Sequence, residues 1–130
     1  DRIRLSVRHL PLHKGSLDVV RMLEASRLQD RYWQTLEAVL AGQAQWVTNH
    51  VAYPERVWGV LGGTGLDLAR LRADMASPEV ARAIEQDGRD AKALNVTMTP
   101  EYFVNGRPLP DFGLPQLQAL VRDEVQAAYR

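Results

Sequence analysis

The chain opens with alternating apolar and polar side chains and then changes to a helical spacing of apolar positions. In the stretch RIRLSVRHLPL, polar residues separate Ile3, Leu5 and Val7, which therefore share one side of an extended chain. This period of two predicts a half-buried strand over residues 3–10. Pro11 ends the strand because proline cannot donate to a sheet ladder.

Apolar residues then recur every three to four positions across residues 16–94, and again across residues 114–128, which predicts four or five helices and a final one. The apolar faces are Val19, Met22, Leu23 and Ser26, then Trp33, Leu36, Val39 and Leu40, then Val80, Ile84, Asp87, Ala91 and Leu94. Capping residues, first-turn prolines and a terminal glycine mark the boundaries: Asp30, Asp67, Ser77, Pro54, Pro78, Pro115 and Gly42.

The segment NVTMTPEYFVNGRPLP predicts a hairpin that follows a proline. Strand-forming residues occupy 102–104, and Asn105-Gly106 tolerates the positive φ angles of a tight type I′ turn. Pro108 marks the returning strand as an edge strand. A trans Pro100 that ends a helix is the simpler interpretation of this stretch, and a cis Pro100 held by the fold is the alternative.

Composition restricts the function classes without selecting one. The 130 residues are 45% hydrophobic, with 16 basic and 16 acidic side chains, which suits one domain and argues against a nucleic-acid surface. No apolar run reaches the length of a membrane span, and no signal peptide is visible. Because the chain has no cysteine, it holds no disulfide, thiol nucleophile or thiolate metal site. Its first residue, Asp1, indicates a processed product or part of a longer protein.

The three histidines and Asp87 are the polar residues of the sequence that could form a metal or catalytic site. His9 and His13 are four residues apart but flank Pro11, so solvent-facing or capping roles are favoured over a metal pair. We expect an exposed His50 and no metal site. Asp87 interrupts an apolar face and is interpreted as a helix-surface residue with a local partner.

Three tryptophans and one glycine-rich stretch each have a structural and a functional interpretation. Trp33, Trp46 and Trp58 are core residues by their helical spacing, with a peptide groove as the alternative. The GGTG sequence at 62–65 is interpreted as a turn between helices, since no strand precedes it and no lysine follows.

The whole chain resembles the later part of a DsbA-like member of the thioredoxin superfamily, the protein-disulfide oxidoreductases of bacterial envelopes. VRHLPLH resembles the ending of that family's third strand, and RMLEASRLQDRYWQTLEAVLAGQ resembles its inserted helical subdomain. The most specific match is TPEYFVNGRPL, which is similar to the family's cis-proline loop and hairpin. The resemblance implies an α/β thioredoxin-like fold of DsbA type with residues 16–94 as the helical insertion and residues 1–15 and 95–130 as the thioredoxin core.

The resemblance also implies a function and its location. Met98, Thr99 and Pro100 would bind polypeptide substrates that carry thiols or disulfides, and a redox partner protein would act with them. The location would be the periplasm or another exported compartment. The family's Cys-x-x-Cys helix has no counterpart here, so the fold would be incomplete at its N-terminus. This chain would hold no catalytic residue and be redox-inactive, and neither a cofactor, a nucleic acid nor membrane insertion is implied.

The expected gap has consequences for assembly and leaves a second functional class open. An absent strand between residues 3–10 and residues 102–105 would leave two unpaired edges and an uncovered apolar face. The edges could close on each other, two chains could pair as a homodimer, or the parent protein could supply the segment. The alternative to a part of an oxidoreductase is a redox-inert thioredoxin-like module that binds a peptide or partner.

Overall fold

The computed structural model describes residues 2–130, which form two compact units. His9–Asp90 make up one, called the helical unit, and residues 2–8 with Ala91–Arg130 make up the other, called the hairpin unit. None of the helices in this described part is long and apolar enough to cross a membrane.

The helical unit is built from short helices and one small hairpin. Its elements are α1 (Ser16–Arg27), α2 (Tyr32–Ala41), α3 (Gln43–Trp46), β1 (Val47–Thr48), β2 (Val51–Ala52), α4 (Pro54–Val57), a 3₁₀ turn (Trp58–Val60), α5 (Leu68–Asp74) and α6 (Pro78–Ala93), whose last residues belong to the hairpin unit. In the β1–β2 hairpin, Val47 pairs with Ala52 and Thr48 with Val51. The positive φ angles of Asn49 and His50, 50° and 62°, form its tight turn.

The core of the helical unit contains the predicted α1 face, whereas the predicted α2 face is wrong in part. Of its four residues, only Val39 is buried, and Trp33 and Leu40 are exposed because α2 turns Tyr32 and Thr35 inward instead. All four predicted face residues of α1, from Val19 to Ser26, are buried, and α1 packs on α2, α4 and α5. Burying a side chain such as Met22 or Leu23 stabilises the fold by about 1.5–3 kcal/mol. The other buried apolar residues of this unit come from α1 itself and from later parts of the unit. They are Val20, Ala25, Tyr32, Val39, Trp46, Ala52, Val57, Leu61, Leu71 and Val80.

Several predicted boundaries are confirmed and one cap is wrong. Gly42 follows α2, Pro54 begins α4, and the Asp67 side chain accepts a hydrogen bond from the N–H of Arg70 at the start of α5. The predicted cap Asp30 instead has a φ of 54° and lies in the turn after α1, so α2 begins at Tyr32. The tight reversal between α1 and α2 needs a left-handed residue there, and this geometry removes Asp30 from the capping position.

The hairpin unit contains β3 (Phe103–Val104), β4 (Arg107–Pro108) and α7 (Leu114–Ala128). The two-residue strands are antiparallel and shorter than predicted, and β3 pairs only with β4 among the described residues. Asn105 and Gly106 have φ angles of 49° and 79°, which confirms the predicted type I′ turn. Pro115 lies in the first turn of α7, as predicted.

The strand predicted over residues 3–10 is wrong, because no regular secondary structure is present there. Ile3 and Leu5 are each 65% exposed. The alternating pattern of residues 3–7 suits a strand, but a strand also requires a ladder partner, and no described residue supplies one.

Candidate functional site

The predicted substrate loop lies between the end of α6 and the start of β3. Past the end of α6, the N–H of Val96 donates to the carbonyl of Ala91 at 2.8 Å, and Asn95 has a φ of 56°. This left-handed residue ends the helix by the usual αL route and directs the chain into residues 96–102. The loop therefore begins at a fixed helix end.

The loop presents open main-chain groups. Met98 is 75% exposed, and Thr99 and Pro100 are exposed as well. Among residues 2–130, the N–H and carbonyl groups of Met98 and Thr99 have no hydrogen-bond partner. The Thr99–Pro100 peptide bond is cis. The structure thus places the three predicted residues together at the surface, while their part in binding a polypeptide stays a prediction.

The other end of the loop is fixed by the β3–β4 hairpin. Phe103 pairs with Pro108, and Val104 pairs with Arg107. One step before this ladder, the carbonyl of Tyr102 accepts the N–H of Leu109 at 2.9 Å. Residues 98–101 therefore form a loop between two hydrogen bonds, Val96 to Ala91 on one side and Leu109 to Tyr102 on the other. This arrangement is expected for a surface loop held by a rigid scaffold.

The hairpin is joined to α7 by Glu124. Its carboxylate accepts hydrogen bonds from Arg107 Nη1 at 2.6 Å and from Asn105 Nδ2 at 3.1 Å. The Arg107 hydrogen bond, with a smaller contribution from Asn105, lowers the pKa of Glu124 below its ordinary value. These charge-assisted hydrogen bonds hold the turn of the β3–β4 hairpin against α7.

Exposed apolar side chains accompany the loop in the hairpin unit. The rings of Tyr102 and Phe112 lie 6.1 Å apart between centroids, and Phe112 is 70% exposed. Leu114 is 66% exposed at the start of α7. Aromatic and aliphatic groups that remain this accessible mark a surface that can contact another polypeptide.

A cluster of polar side chains in the helical unit was not predicted. His9, interpreted from the sequence as solvent-facing or capping, is instead largely buried, with a side chain 12% exposed. Its Nε2 lies 2.7 Å from the hydroxyl of Tyr32 and 3.9 Å from Glu24 Oε1. The interpretation from the sequence is wrong because the partners of His9, Tyr32 and Asp87, lie 23 and 78 residues later in the chain.

The remaining members of the cluster fix its charges. Glu24 Oε2 accepts a hydrogen bond from Arg27 Nε at 3.0 Å, and the Arg27 guanidinium lies 3.6 Å from the Tyr32 ring centroid. Asp87 accepts the backbone N–H of His9 at 3.0 Å, a partner 78 residues away that the sequence did not predict. We call His9, Glu24, Arg27, Tyr32 and Asp87 the His9 cluster.

Burial governs the titration of the two central groups. Desolvation lowers the pKa of His9 below its ordinary value and outweighs the opposing attraction of Glu24 and Asp87. Desolvation likewise raises the pKa of Tyr32 to about 12, against the nearby Arg27 charge. Both groups are therefore neutral at neutral pH. Nothing in their spacing of 23 residues signals their contact, so sequence reasoning could not have found it.

The three tryptophans differ in environment. Trp46 is buried, and its indole N–H donates to the carbonyl of Val39 at 2.9 Å, as expected for a core residue. Trp33 is 46% exposed, so its assignment to the core is wrong. Trp58 is half-buried beside a cavity of about 830 Å³, where the Arg72 guanidinium lies 4.2 Å from the ring centroid.

The remaining candidates from the sequence carry no assembled site. The His13 and His50 rings lie 6.1 Å apart at the surface, and His50 is exposed as predicted, in the tight turn of the β1–β2 hairpin. No group of three or more metal-ligating side chains occurs among residues 2–130. The GGTG sequence connects the 3₁₀ turn to α5, which confirms a turn between helices.

Comparison with known proteins shows that this arrangement of helices, loop and hairpin is a thioredoxin-like fold. A family model described as Thioredoxin matches residues 1–123, so the chain belongs to this thioredoxin family. A solved thioredoxin-like oxidoreductase from Silicibacter pomeroyi DSS-3 has a TM-score of 0.71 and 25% identity. That match covers 89% of this chain and 64% of the oxidoreductase chain. The predicted thioredoxin-like fold class is confirmed.

Curated relatives of another kind also match. An Na(+)/H(+) antiporter NhaA from Herminiimonas arsenicoxydans is 36% identical over 109 residues, which cover 84% of this chain and 17% of the antiporter. Na(+)/H(+) antiporter NhaA 3 from Salinispora tropica is 33% identical over 109 residues, which cover 81% of this chain and 16% of that antiporter. The chain thus spans about a sixth of the length of the curated relatives it matches.

Proposed function

We propose that this chain supplies the polypeptide-binding portion of a DsbA-like thiol–disulfide oxidoreductase, with Met98, Thr99 and Pro100 as the substrate loop. The observation that carries the proposal is the exposed loop whose main-chain groups lack partners in a thioredoxin-family chain. An extended substrate could pair with these groups as an added strand, and nearby apolar side chains would contact its residues. Polypeptides with thiols or disulfides are the substrates on this proposal.

The reacting sulfurs must come from outside this chain. In disulfide exchange a thiolate attacks one sulfur of a disulfide, a new S–S bond forms, and the other sulfur leaves as a thiolate. This chain has no cysteine and supplies neither sulfur. On the proposal, an additional strand and a Cys-x-x-Cys helix complete the fold and provide both thiols. The unmatched third of the similar oxidoreductase chain leaves room for such a segment.

The proposed Cys-x-x-Cys segment also affects how the protein assembles and where it is located. If the segment is absent, pairing of two copies is the proposed alternative for covering exposed apolar residues such as Ile3 and Leu5. Light scattering at several concentrations tests this, since a concentration-independent monomer contradicts pairing. A periplasmic or otherwise exported location, and a redox partner protein, accompany the oxidoreductase proposal because structural disulfides persist in oxidising compartments.

A second candidate function has its own support. The antiporter relatives match most of this chain with a small part of their length, and the chain holds no thiol. These findings favour a redox-inert thioredoxin-like module that binds a segment of a partner protein, in particular of a membrane transporter. Both candidates use the substrate loop, and they differ in the presence of cysteines in the parent protein.

A binding experiment tests the loop. The isotope-labelled chain is titrated with an extended, cysteine-free peptide while its backbone amide signals are followed. Binding at the loop moves the signals of Met98 and Thr99, and Met98→Asp weakens it at least about tenfold, or about 1.4 kcal/mol. Leu40→Asp, at a 58% exposed position on α2, is the matched control and leaves binding unchanged. Equal weakening by both variants, or shifts elsewhere only, contradicts the proposed loop.

A redox assay separates chemistry from binding. With no sulfur nucleophile, the isolated chain gives no turnover in insulin reduction or in oxidative refolding. Turnover above the uncatalysed rate would overturn the assignment of the chemistry to a separate segment. The parent open reading frame then decides between the two candidates: a Cys-x-x-Cys encoded before residue 1 supports the oxidoreductase, and its absence supports the redox-inert module.

A further inference from the structure

We propose that the cavity of about 830 Å³ beside Trp58, called the Trp58 cavity, binds a short apolar peptide whose ammonium and carboxylate ends are both free. The apolar side chains of the peptide contact the lining, its carboxylate pairs with Arg72, and its ammonium pairs with Glu55. All residues that line the cavity belong to the helical unit, and none belongs to the proposed substrate loop. The inference therefore goes beyond the proposed function and does not depend on it.

The walls of the Trp58 cavity are apolar and come from several helices. The apolar lining residues include Leu17 and Met22 of α1, Pro54 of α4, Trp58 of the 3₁₀ turn, Met75 between α5 and α6, and Ile84 of α6. Leu17 is 38% exposed and Met22 is 1% exposed, so the apolar lining runs from the surface down to the core. Small-molecule sites commonly measure about 300–1,000 Å³. The cavity therefore suits an apolar ligand of small-molecule size.

Arg72 is a cation of the lining that has no anionic partner. Its guanidinium lies 4.2 Å from the centroid of the Trp58 ring. Among residues 2–130, no carboxylate lies within ion-pair distance of Arg72, and its side chain makes no hydrogen bond. A guanidinium beside an aromatic ring keeps its five N–H donors, and their planar arrangement matches a carboxylate. Arg72 can therefore bind a carboxylate without losing a hydrogen bond within the protein.

Glu55 is the corresponding anion of the lining. It lies in the first turn of α4, and its carboxylate has no hydrogen-bond or ion-pair partner within the described part of the chain. The remaining charged residues of the lining have partners. Asp18 pairs with Arg21 at 2.7 Å. Glu85 lies 3.9 Å from Arg89. One positive and one negative side chain thus remain for a ligand.

A ligand with charges of both signs satisfies both side chains. An apolar carboxylate alone would meet Glu55 as a like charge, and an apolar amine alone would meet Arg72 in the same way. A short apolar peptide has an ammonium at one end, a carboxylate at the other and apolar side chains between them. The ends of a peptide have pKa values of about 7.7–8.0 and about 3.3–3.7, so both are charged at about pH 6.5.

Titration with a dipeptide tests the site in the full chain. Leucyl-phenylalanine is added at about pH 6.5, and binding is followed by calorimetry and by the indole N–H signals of the tryptophans. We expect the Trp58 signal to move and the signal of Trp33, which lies outside the lining, to stay in place. Acetylating the amine or amidating the carboxylate should each weaken binding about threefold, the size expected for a partly exposed ion pair.

Charge substitutions assign each end of the peptide to its residue. Arg72→Gln should abolish the effect of amidation and leave the effect of acetylation, and Glu55→Gln should do the reverse. Arg56→Gln is the matched control, because the Arg56 guanidinium also lies over a ring, 4.3 Å from the Tyr53 centroid, but outside the lining. This control should retain both effects.

Filling the cavity tests the location of the ligand. Ala81→Phe adds a ring to the lining and should abolish binding, whereas Ala69→Phe, at an exposed position outside the lining, should leave binding unchanged. A dipeptide with both ends blocked that binds as tightly as the free one would overturn the proposal. Equal effects of Arg72→Gln and Arg56→Gln, or a Trp58 signal unmoved up to about 10 mM dipeptide, would do so as well. If a variant does not fold, the free, acetylated and amidated dipeptides decide.

Discussion

The helical unit and the hairpin unit bury very different amounts of their apolar side chains. The helical unit encloses a continuous core, with Val57 and Leu71 at 0% exposure and Met22 at 1%. In the hairpin unit, Leu120 is the one buried apolar residue among those described. Ile3, Leu5, Leu94, Met98, Phe112 and Leu114 are each more than half exposed there. The helical unit can therefore be stabilised by its own packing, whereas the hairpin unit has an apolar surface suited to another polypeptide segment.

Truncating one leucine in each unit should give the largest difference in the free energy of unfolding. Leu71→Ala in α5 removes a fully buried side chain and should cost about 2–5 kcal/mol, through lost burial and the cavity that remains. Leu114→Ala in α7, where the leucine is 66% exposed, should change stability by at most about 0.5 kcal/mol. Urea unfolding measures both. Similar losses for the two variants would show that the hairpin unit packs as tightly as the helical unit.

Replacing two glycines that have positive φ angles should give the next largest loss of stability. Gly15 has a φ of 82°, and a Cβ there would lie 2.0 Å from the Ala52 carbonyl oxygen. Gly106, with a φ of 79°, has no atom within 4 Å of such a Cβ. Gly106→Ala should cost about 1–2 kcal/mol, the penalty of the left-handed conformation alone. Gly15→Ala should cost more because backbone must also move. Thermal unfolding checks the order, and a reversed order would contradict the close approach at Gly15.

The His9 cluster predicts a smaller, pH-dependent effect confined to the helical unit. Because the folded-state pKa of His9 is lowered, the unfolded chain binds its proton first as the pH falls below about 6.5, and stability declines with it. The urea midpoint of the unsubstituted chain should therefore decrease between about pH 7 and about pH 5 more than that of His9→Gln. His50→Gln, at an exposed histidine, is the control and should retain the full decrease.

Tyr32 predicts a loss of stability at alkaline pH, as His9 does at acidic pH. Its pKa is raised to about 12, so the folded chain keeps a proton that the unfolded chain loses from about pH 10 upward. Stability should fall as the pH rises through this window, and Tyr32→Phe should remove that part of the decline. Tyr129→Phe, at a 57% exposed tyrosine, is the control. An unchanged decline in Tyr32→Phe would show that the hydroxyl is not buried in solution.

The smallest effect is expected at the exposed ion pair of the hairpin unit. Glu124→Gln removes the charge that bonds Arg107 and keeps the shape of the side chain. Exposed pairs contribute little, so stability should barely change while the Asn105 side-chain amide signals shift. A carboxyl titration by nuclear magnetic resonance should show the lowered pKa of Glu124, and Arg107→Gln should return it toward its ordinary value.

Predictions based on local spacing were the most reliable. The α1 face, the first-turn prolines, the Asp67 cap and the Asn105-Gly106 turn are all confirmed, because each depends on residues within one or two turns of chain. The division into a helical insertion over 16–94 and a thioredoxin core stays a prediction, as does the DsbA-type assignment. The family itself is shown by the match over residues 1–123.

Errors occurred where a residue's environment comes from distant parts of the chain. The strand over residues 3–10 requires a partner that no described residue provides, and Trp33 has apolar helical spacing but is 46% exposed. His9 looked like a terminal polar residue of a strand, and it lies beside a tyrosine 23 positions later and an aspartate 78 positions later. No period in the sequence encodes such contacts.

The sequence by itself determined the helices, the type I′ turn, the absence of a thiol and the thioredoxin resemblance, since these follow from residue type and short-range spacing. The tertiary structure decided which apolar faces are covered, that Met98 and Thr99 keep open main-chain groups, and that His9 is partly buried among charged neighbours. Burial and long-range hydrogen bonds depend on how separate helices pack in three dimensions, and so they could be assigned only once the chain was folded.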